Sequence, residues 1–373
     1  MSDAIQAVTM PKWGLAMDEG MVTVWLVEEG APVAAGDELL EIETTKITNV
    51  FESPAAGTLS RRLVGEGETV PVGALLAVVA EDGAAEAEID AFVESFRAEF
   101  AVAAEAAAES VAAEPESVEA GGLAINYLRA GTGEGVPIVL VHGFGGDLDN
   151  WLFNQPALAE HHDVVALDLP GHGRSAKDVG AGDLAFLSET LAEFLDALGI
   201  DRAHLVGHSL GGAAVLGLAL DHPKRAASLT LISPAGLGPE INRSYISGFV
   251  GAARRKEMKG VLQMLFADPG LVSRDLVEDV LKYKRLDGVA GALETIARAV
   301  FPDGRQAVVL AERVGDLAVP VQVIWGRRDE IVPPAHAEAL PPGVPVHMIE
   351  TAGHMAHMEA AGEVNRLIAA MTG

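Results

Sequence analysis

Cysteine is absent from all 373 residues. That excludes disulfides, cysteine nucleophiles and cysteine metal sites, so any thiol chemistry must use thiols brought by a cofactor or substrate. Positive charge is scarce: 26 Lys+Arg stand against 54 Asp+Glu, a net charge of −28. This argues against nucleic-acid binding, where basic surface supplies most of the affinity. No apolar run approaches the roughly 18 residues a membrane helix needs. The opening Met1-Ser2-Asp3-Ala4 has no basic-then-apolar leader pattern. The expectation is a cytoplasmic enzyme with neither nucleic-acid nor membrane partners. Hydrophobic residues make up 49% of the chain, enough to bury a sizeable core, and the length implies two or three domains.

The charge is unevenly spread. Residues 1–120 hold 5 Lys+Arg and 24 Asp+Glu, whereas residues 235–315 hold 12 and 10, a mildly basic island in an acidic protein. Residues 1–80 read as short strands, with Val22, Val24 and Leu26 alternating and glycines punctuating the turns. The glycines expose an internal repeat. At an offset of 37, Gly20, Gly30 and Gly36 fall on Gly57, Gly67 and Gly73, while Leu26, Glu29, Val33 and Leu39 fall on Leu63, Glu66, Val70 and Leu76. Two copies of one sheet unit, packed face to face, are expected. Copy one ends near Ile42 and copy two begins near Ser53, which places Lys46 at a hairpin tip.

Residues 81–120 turn rich in Ala and Glu and read as a tether. Within it, residues 86–100 form an expected amphipathic helix with Ile89, Phe92, Val93, Phe96 and Phe100 on one face. From residue 121 short apolar runs alternate with helical spacing, the pattern of a mostly parallel sheet covered on both sides. Residues 235–315 interrupt that alternation with helical patterns only, as an inserted cap would.

Gly207-His208-Ser209-Leu210-Gly211 follows an apolar run and opens a helix. A serine between two glycines at a strand-to-helix turn is the setting of an exposed nucleophile. Such a serine needs a base, and the base an orienting acid. Asp329 emerges after the apolar strand that ends at Trp325, and His354 follows the final strand at Gly353. Glu330 and His357 are the neighbours with which they compete. The backbone amides of Leu210 and of Phe144, in His142-Gly143-Phe144-Gly145-Gly146, are the expected oxyanion donors.

These motifs carry two resemblances. Residues 121–373 resemble the α/β-hydrolase family in the order Ser209, Asp329, His354 and in the loop Asp168–Ser175, within which His172 is expected to bond the loop rather than act on substrate. Residues 1–80 resemble lipoyl domains through Met10-Pro11-Lys12, Gly14, Glu19-Gly20, Gly30, Val33 and Gly36-Asp37, with Lys46 as the implied lipoate attachment site. Thr45 and Ile47 stand where those domains usually have aspartate and alanine. The absence of flanking methionines favours lipoyl over biotinyl.

The fold class implied is multidomain: a small all-β lipoyl/biotinyl-type barrel-sandwich (1–80), a linker (81–120), and an α/β-hydrolase fold (121–373) with a helical cap (235–315). The fusion is similar to the acetyltransferase components of bacterial acetoin dehydrogenase complexes. That resemblance implies acetyl transfer from a lipoyl arm to coenzyme A. It also implies a thiamine-diphosphate-dependent acetoin-cleaving partner, dihydrolipoamide dehydrogenase as a second partner, and a homo-oligomer. No full subunit-binding domain is recognisable in 81–120, so the helix 86–100 is the expected docking element. Arg254, Arg255 and Lys256 are candidates for the coenzyme phosphates, with solvated cap-helix faces as the competing reading. A lipoylated hydrolase that uses water and a non-catalytic carrier or scaffold both remain open.

Overall fold

Short alternating segments in the first 80 residues pair as antiparallel strands: β1 (Ile5–Thr9), β2 (Glu19–Trp25), β3 (Pro32–Val33), β4 (Glu38–Glu43), β5 (Thr48–Glu52), β6 (Gly57–Arg62), β7 (Thr69–Pro71) and β8 (Leu75–Ala80). In this computed structural model the described residues are 5–11, 19–44, 48–80, 84–97, 100, 114–133 and 135–373. The chain divides into two units, 1–105 and 106–373.

The strands of the first unit form two four-stranded sheets, β1-β8-β6-β3 and β5-β4-β2-β7. Val8, Leu59 and Leu76 from one sheet and Val22, Leu40 and Ile42 from the other share a single apolar core. The 37-residue repeat is written into the hydrogen bonds. Gly30 N donates to Leu59 O (2.8 Å) and Gly67 N to Val22 O (2.7 Å). Leu26 N donates to Leu39 O (3.0 Å) and Leu63 N to Leu76 O (2.8 Å). Trp25 N donates to Glu66 Oε1 (2.9 Å) and Arg62 N to Glu29 Oε2 (2.8 Å). Each pair is the other displaced by the repeat. β4 and β5 pair in a register that sets Glu43 opposite Thr48, so the connection between them is the one that contains Lys46. Lys46 itself, like Lys12 and Gly14, lies outside the described residues.

The expected tether is shorter than 81–120. Residues 86–97 form a helix, α1, and its Ile89 and Val93 pack on Leu75, Val78 and Ala80, with Phe92 and Phe96 beside them. Arg61 on β6 bonds Glu86 (2.9 Å) and Asp90. The outer face of the β1–β8 sheet is apolar, so it needs a cover, and α1 supplies one. The apolar face that made this helix a docking candidate is therefore already occupied. At the other end of the segment, Glu116–Ala120 forms β9, an edge strand that pairs antiparallel with β10 (Leu123–Ala130). Its exposed Glu116 and Glu119 hid it from an apolar-run reading, because an edge strand keeps one face in water.

The second unit is an eight-stranded sheet, order β16-β15-β14-β13-β11-β12-β10-β9. It is completed by β11 (Ile138–Val141), β12 (Val164–Leu167), β13 (Ala203–His208), β14 (Ala226–Ile232), β15 (Val321–Gly326) and β16 (Val346–Ile349). The strands from β12 and β11 to β16 run parallel, and β11, β12 and β15 are buried along their whole length, as strands covered on both faces must be. Helices α2 (Gln155–Ala159), α3 (Leu184–Ala197) and α4 (Leu210–Asp221) connect the early strands. Four helices stand between β14 and β15: α5 (Arg243–Gly251), α6 (Arg255–Gln263), α7 (Arg274–Lys284) and α8 (Val289–Val300). The short α9 (Ala356–Glu359) and the terminal α10 (Ala361–Thr372) follow β16. No helix among the described residues is long and apolar enough to cross a membrane.

Candidate active site

The C-terminal ends of the parallel strands bring the expected residues to one edge of the sheet, where sites form in folds of this kind. β13 ends at His208, and Ser209 caps α4 with φ 53° and ψ −117°, a strained conformation for a residue with a Cβ. Both flanking glycines are demanded by space. A Cβ at Gly207 would lie 2.5 Å from the Gly211 carbonyl oxygen, and one at Gly211 would lie 2.3 Å from that of Val141. The strain holds the serine at the helix N-terminus, where unpaired amides favour negative charge.

Asp329 follows β15 and is buried. Its two oxygens are saturated: Oδ1 accepts from Ile331 N (2.8 Å) and Val332 N (3.0 Å), and Oδ2 accepts from Trp325 Nε1 (3.0 Å). The fourth contact joins Oδ2 to His354 Nδ1 at 2.8 Å. A carboxylate can only accept, so Nδ1 carries the proton and Nε2 keeps the lone pair a base needs. Glu330 and His357, the competing neighbours, take neither place. Glu240, the first carboxylate after β14, pairs with His336 (2.9 Å) instead. The hydrogen bonds of the described residues include none from Ser209 Oγ to His354. The two residues are linked through His208, whose Nε2–H donates to the His354 carbonyl at 3.0 Å while the two rings lie 4.7 Å apart.

The loop after β11 lies directly against the serine, since a Cβ at Gly143 would meet Ser209 Cβ at 2.9 Å. The Gly143 carbonyl is held by His142 Nδ1–H (2.7 Å) and Gly146 N (3.1 Å). In a trans peptide the next N–H points the opposite way, so the Phe144 amide is turned away from those partners. Among the described residues neither the Phe144 nor the Leu210 amide donates to an acceptor. Both residues are buried, and a buried amide without a partner costs about 1–3 kcal/mol. Phe144 is fixed by Tyr245 Oη on its carbonyl (3.3 Å) and by edge-on contacts with Phe249, Phe301 and His172.

The imidazoles around His354 are neutral. Burial, the largest cause, pulls His142 down to about 4 and His357 to about 3, and it lowers His208 well below the ordinary value, with His357 and His354 adding to the effect. His172 Nδ1 lies 3.0 Å from the Pro170 carbonyl, the loop-bonding contact expected of it.

The basic island is less free than its composition implied. Arg254 and Lys256 are exposed at the start of α6, but Arg255 pairs with Glu278. Lys284 bonds the carbonyls of Phe249, Val250 and Ala252 at the end of α5. Sequence reasoning missed Trp325 and His208. Both stand next to recognised motifs, Trp325 four residues before Asp329 and His208 beside the serine, but spacing does not reveal which way a buried N–H points.

Comparison with known proteins bears on both units. Residues 136–361 match the family described as alpha/beta hydrolase fold, and residues 6–79 match one described as biotin-requiring enzyme, the biotin/lipoyl type. A dihydrolipoyllysine-residue acetyltransferase component of the acetoin cleaving system from Pseudomonas putida is 50% identical over 362 residues, 97% of each chain. The chain belongs to the family of acetoin-system dihydrolipoyllysine-residue acetyltransferases. A second member, from Cupriavidus necator, is 45% identical over 99% of this chain and 97% of its own. Among solved structures, a meta-cleavage product hydrolase from Pseudomonas fluorescens IP01 matches with 25% identity and a TM-score of 0.62, covering 68% of this chain and 95% of that one. Family membership thus makes the chain an acyltransferase built on a carrier-type sandwich and a hydrolase-type fold.

Proposed function

We propose that the protein transfers an acetyl group from acetyl-dihydrolipoyl-lysine to coenzyme A, with Ser209 as the acyl-carrying nucleophile. The observation that carries this reading is the buried Asp329–His354 pair beside the Ser209 elbow, in a chain whose Lys46 falls in sequence between the two sheet repeats. Lys46 offers a primary amine in the connection closed by the Glu43–Thr48 pairing, which fits covalent attachment of lipoate through an amide. Bound there, the lipoyl group supplies a thiol able to carry acetyl as a thioester.

The steps belong to the protein's own side chains. His354 Nε2 takes the Ser209 proton as Oγ attacks the thioester carbonyl. The Leu210 and Phe144 amides receive the oxyanion, and Asp329 steadies the imidazolium. As the tetrahedral intermediate collapses, His354 returns its proton to the departing sulfur and Ser209 keeps the acetyl group as an ester. The coenzyme A thiol then gives its proton to His354 and attacks the ester, and His354 passes that proton to the departing Ser209 Oγ, which restores the serine hydroxyl. The exposed Arg254 and Lys256 are the cap residues we assign to the coenzyme phosphates, with Arg255 shared with Glu278.

We place the protein in a complex with a thiamine-diphosphate-dependent acetoin-cleaving enzyme that loads the arm and a dihydrolipoamide dehydrogenase that reoxidises it. Product analysis tests the reading. With acetyl-dihydrolipoamide and coenzyme A the protein is expected to form acetyl-coenzyme A. Acetate as the main product at saturating coenzyme A would make it a hydrolase instead.

A further inference from the structure

The turn that carries His354 is held by the cap as well as by the sheet. Segment 264–268, just after α6, lies directly on it. Met355 N donates to Leu265 O at 3.2 Å, and a Cβ on Gly353 would sit 2.7 Å from Ala267 N and 3.0 Å from Phe266 C. The Glu359 carboxylate bridges the two elements. Oε1 accepts from Gly353 N at 2.8 Å, and Oε2 accepts from Ala267 N at 2.8 Å. One end of this bridge is the residue immediately before His354, and the other belongs to the cap.

No arginine, lysine or histidine among the described residues pairs with Glu359, so backbone amides alone compensate its charge. Burial pushes its carboxyl up, and the Gly353, Ala267 and Asp268 amides act against that. Desolvating a carboxylate half-buried at the base of a short helix is unfavourable without a return elsewhere. Here the return is a rigid join. The carboxylate adds two hydrogen bonds to two backbone segments that are otherwise packed together and joined by the Met355–Leu265 main-chain bond.

We propose that Glu359 is a positioning residue that latches cap segment 264–268 to the His354 turn, so that seating the cap and aligning the base are one event. This rests on the reading of His354 as the base that serves Ser209. A cap displaced by substrate entry would draw the His354 turn with it. The base would reach its working position only when the cap is down and water is shut out.

The test uses full-length lipoylated protein and two substrates, acetyl-dihydrolipoamide with coenzyme A, and p-nitrophenyl acetate, which is too small to need the cap for binding. Glu359→Gln keeps the shape but turns an NH2 onto one of the two amides. Gly353→Ala leaves the carboxylate intact and drives a methyl group into the Ala267 backbone. Both variants are expected to lower kcat on both substrates by about 10- to 100-fold, as misplacement of a base by about 1 Å does, with KM within about threefold. Glu359→Asp, too short to bridge, is expected to behave like Glu359→Gln, and circular dichroism confirms the fold of each. If kcat on p-nitrophenyl acetate is unchanged and only the thioester KM rises, Glu359 merely docks the cap and the latch is refuted. Full activity of both variants on both substrates also refutes it. Ser209→Ala is run alongside. If that variant keeps wild-type transfer, the serine reading fails and takes the latch with it; if it is dead while Glu359→Gln is fully active, the latch alone is wrong.

Discussion

Replacing Asp329 with asparagine tests the orienting role with little change of shape. Each carboxylate oxygen receives two N–H donors, so the new NH2 meets donors whichever way it turns. The backbone amides of Ile331 and Val332 cannot move aside, whereas Trp325 Nε1 has a second acceptor in the Val332 carbonyl at 3.3 Å. The amide oxygen should therefore take the Oδ1 place and the NH2 should face His354. His354 then accepts through Nδ1, which puts its proton on Nε2 and removes the lone pair meant for Ser209. A wrong tautomer of this kind lowers kcat by about 10⁴, or about 5 kcal/mol of barrier. The stability loss should be smaller, about 1–3 kcal/mol for one weakened buried donor, lowering Tm by roughly 2–4 °C per kcal/mol in a domain of this size. Steady-state acetyl transfer and thermal melts measure the two effects on one sample. A folded Asp329→Asn protein with kcat within tenfold of wild type would refute the assignment.

Other outcomes follow from the same structure. Lys46→Arg should remove the lipoyl mass increment from the intact protein and abolish transfer from the tethered arm, while transfer from free acetyl-dihydrolipoamide persists. Val93→Asp places a charge in the α1–sheet contact and should destabilise the first unit by about 3 kcal/mol or more, which calorimetry would detect as a fall in one transition with the other unchanged. His142, His172 and His357 have folded pKa values of about 4, 3 and 3, lowered chiefly by burial. The unfolded chain therefore binds more protons below pH 6.5, so their contribution is full above that pH and is lost as pH falls, towards 4 for His142 and towards 3 for His172 and His357, at up to about 1.4 kcal/mol per pH unit for each group; urea melts across that range check it. Charge reversal at Arg254 should raise the coenzyme A KM several-fold and leave kcat nearly unchanged, and an unaltered KM would reject the phosphate assignment.

Much of this was legible because backbone geometry leaves marks in sequence. Gly207 and Gly211 are required by contacts of 2.3–2.5 Å, and Gly30 and Gly67 recur because the same turn is made twice with positive φ. The wholly buried strands β11, β12 and β15 read as apolar runs. What stayed hidden depends on long-range contact. The charged edge strand β9 resembles a linker until β10 is beside it. The apolar stripe of α1 is the same whether it covers the chain's own sheet or a partner. Glu359 lies five residues after His354, but its value comes from Ala267, 92 positions away. Arg255 reads as a free cation until Glu278 on α7 is opposite.

Acetyl should pass through Ser209 on its way to coenzyme A. Lipoylated protein should be mixed with acetyl-dihydrolipoamide without coenzyme A, quenched in acid and mapped by peptide mass. Acetyl is expected on the Ser209 peptide, followed by its disappearance within one turnover once coenzyme A is added and a matching yield of acetyl-coenzyme A. Transfer at the wild-type rate by Ser209→Ala, or acetyl-coenzyme A formed with no label ever found on Ser209, would contradict it.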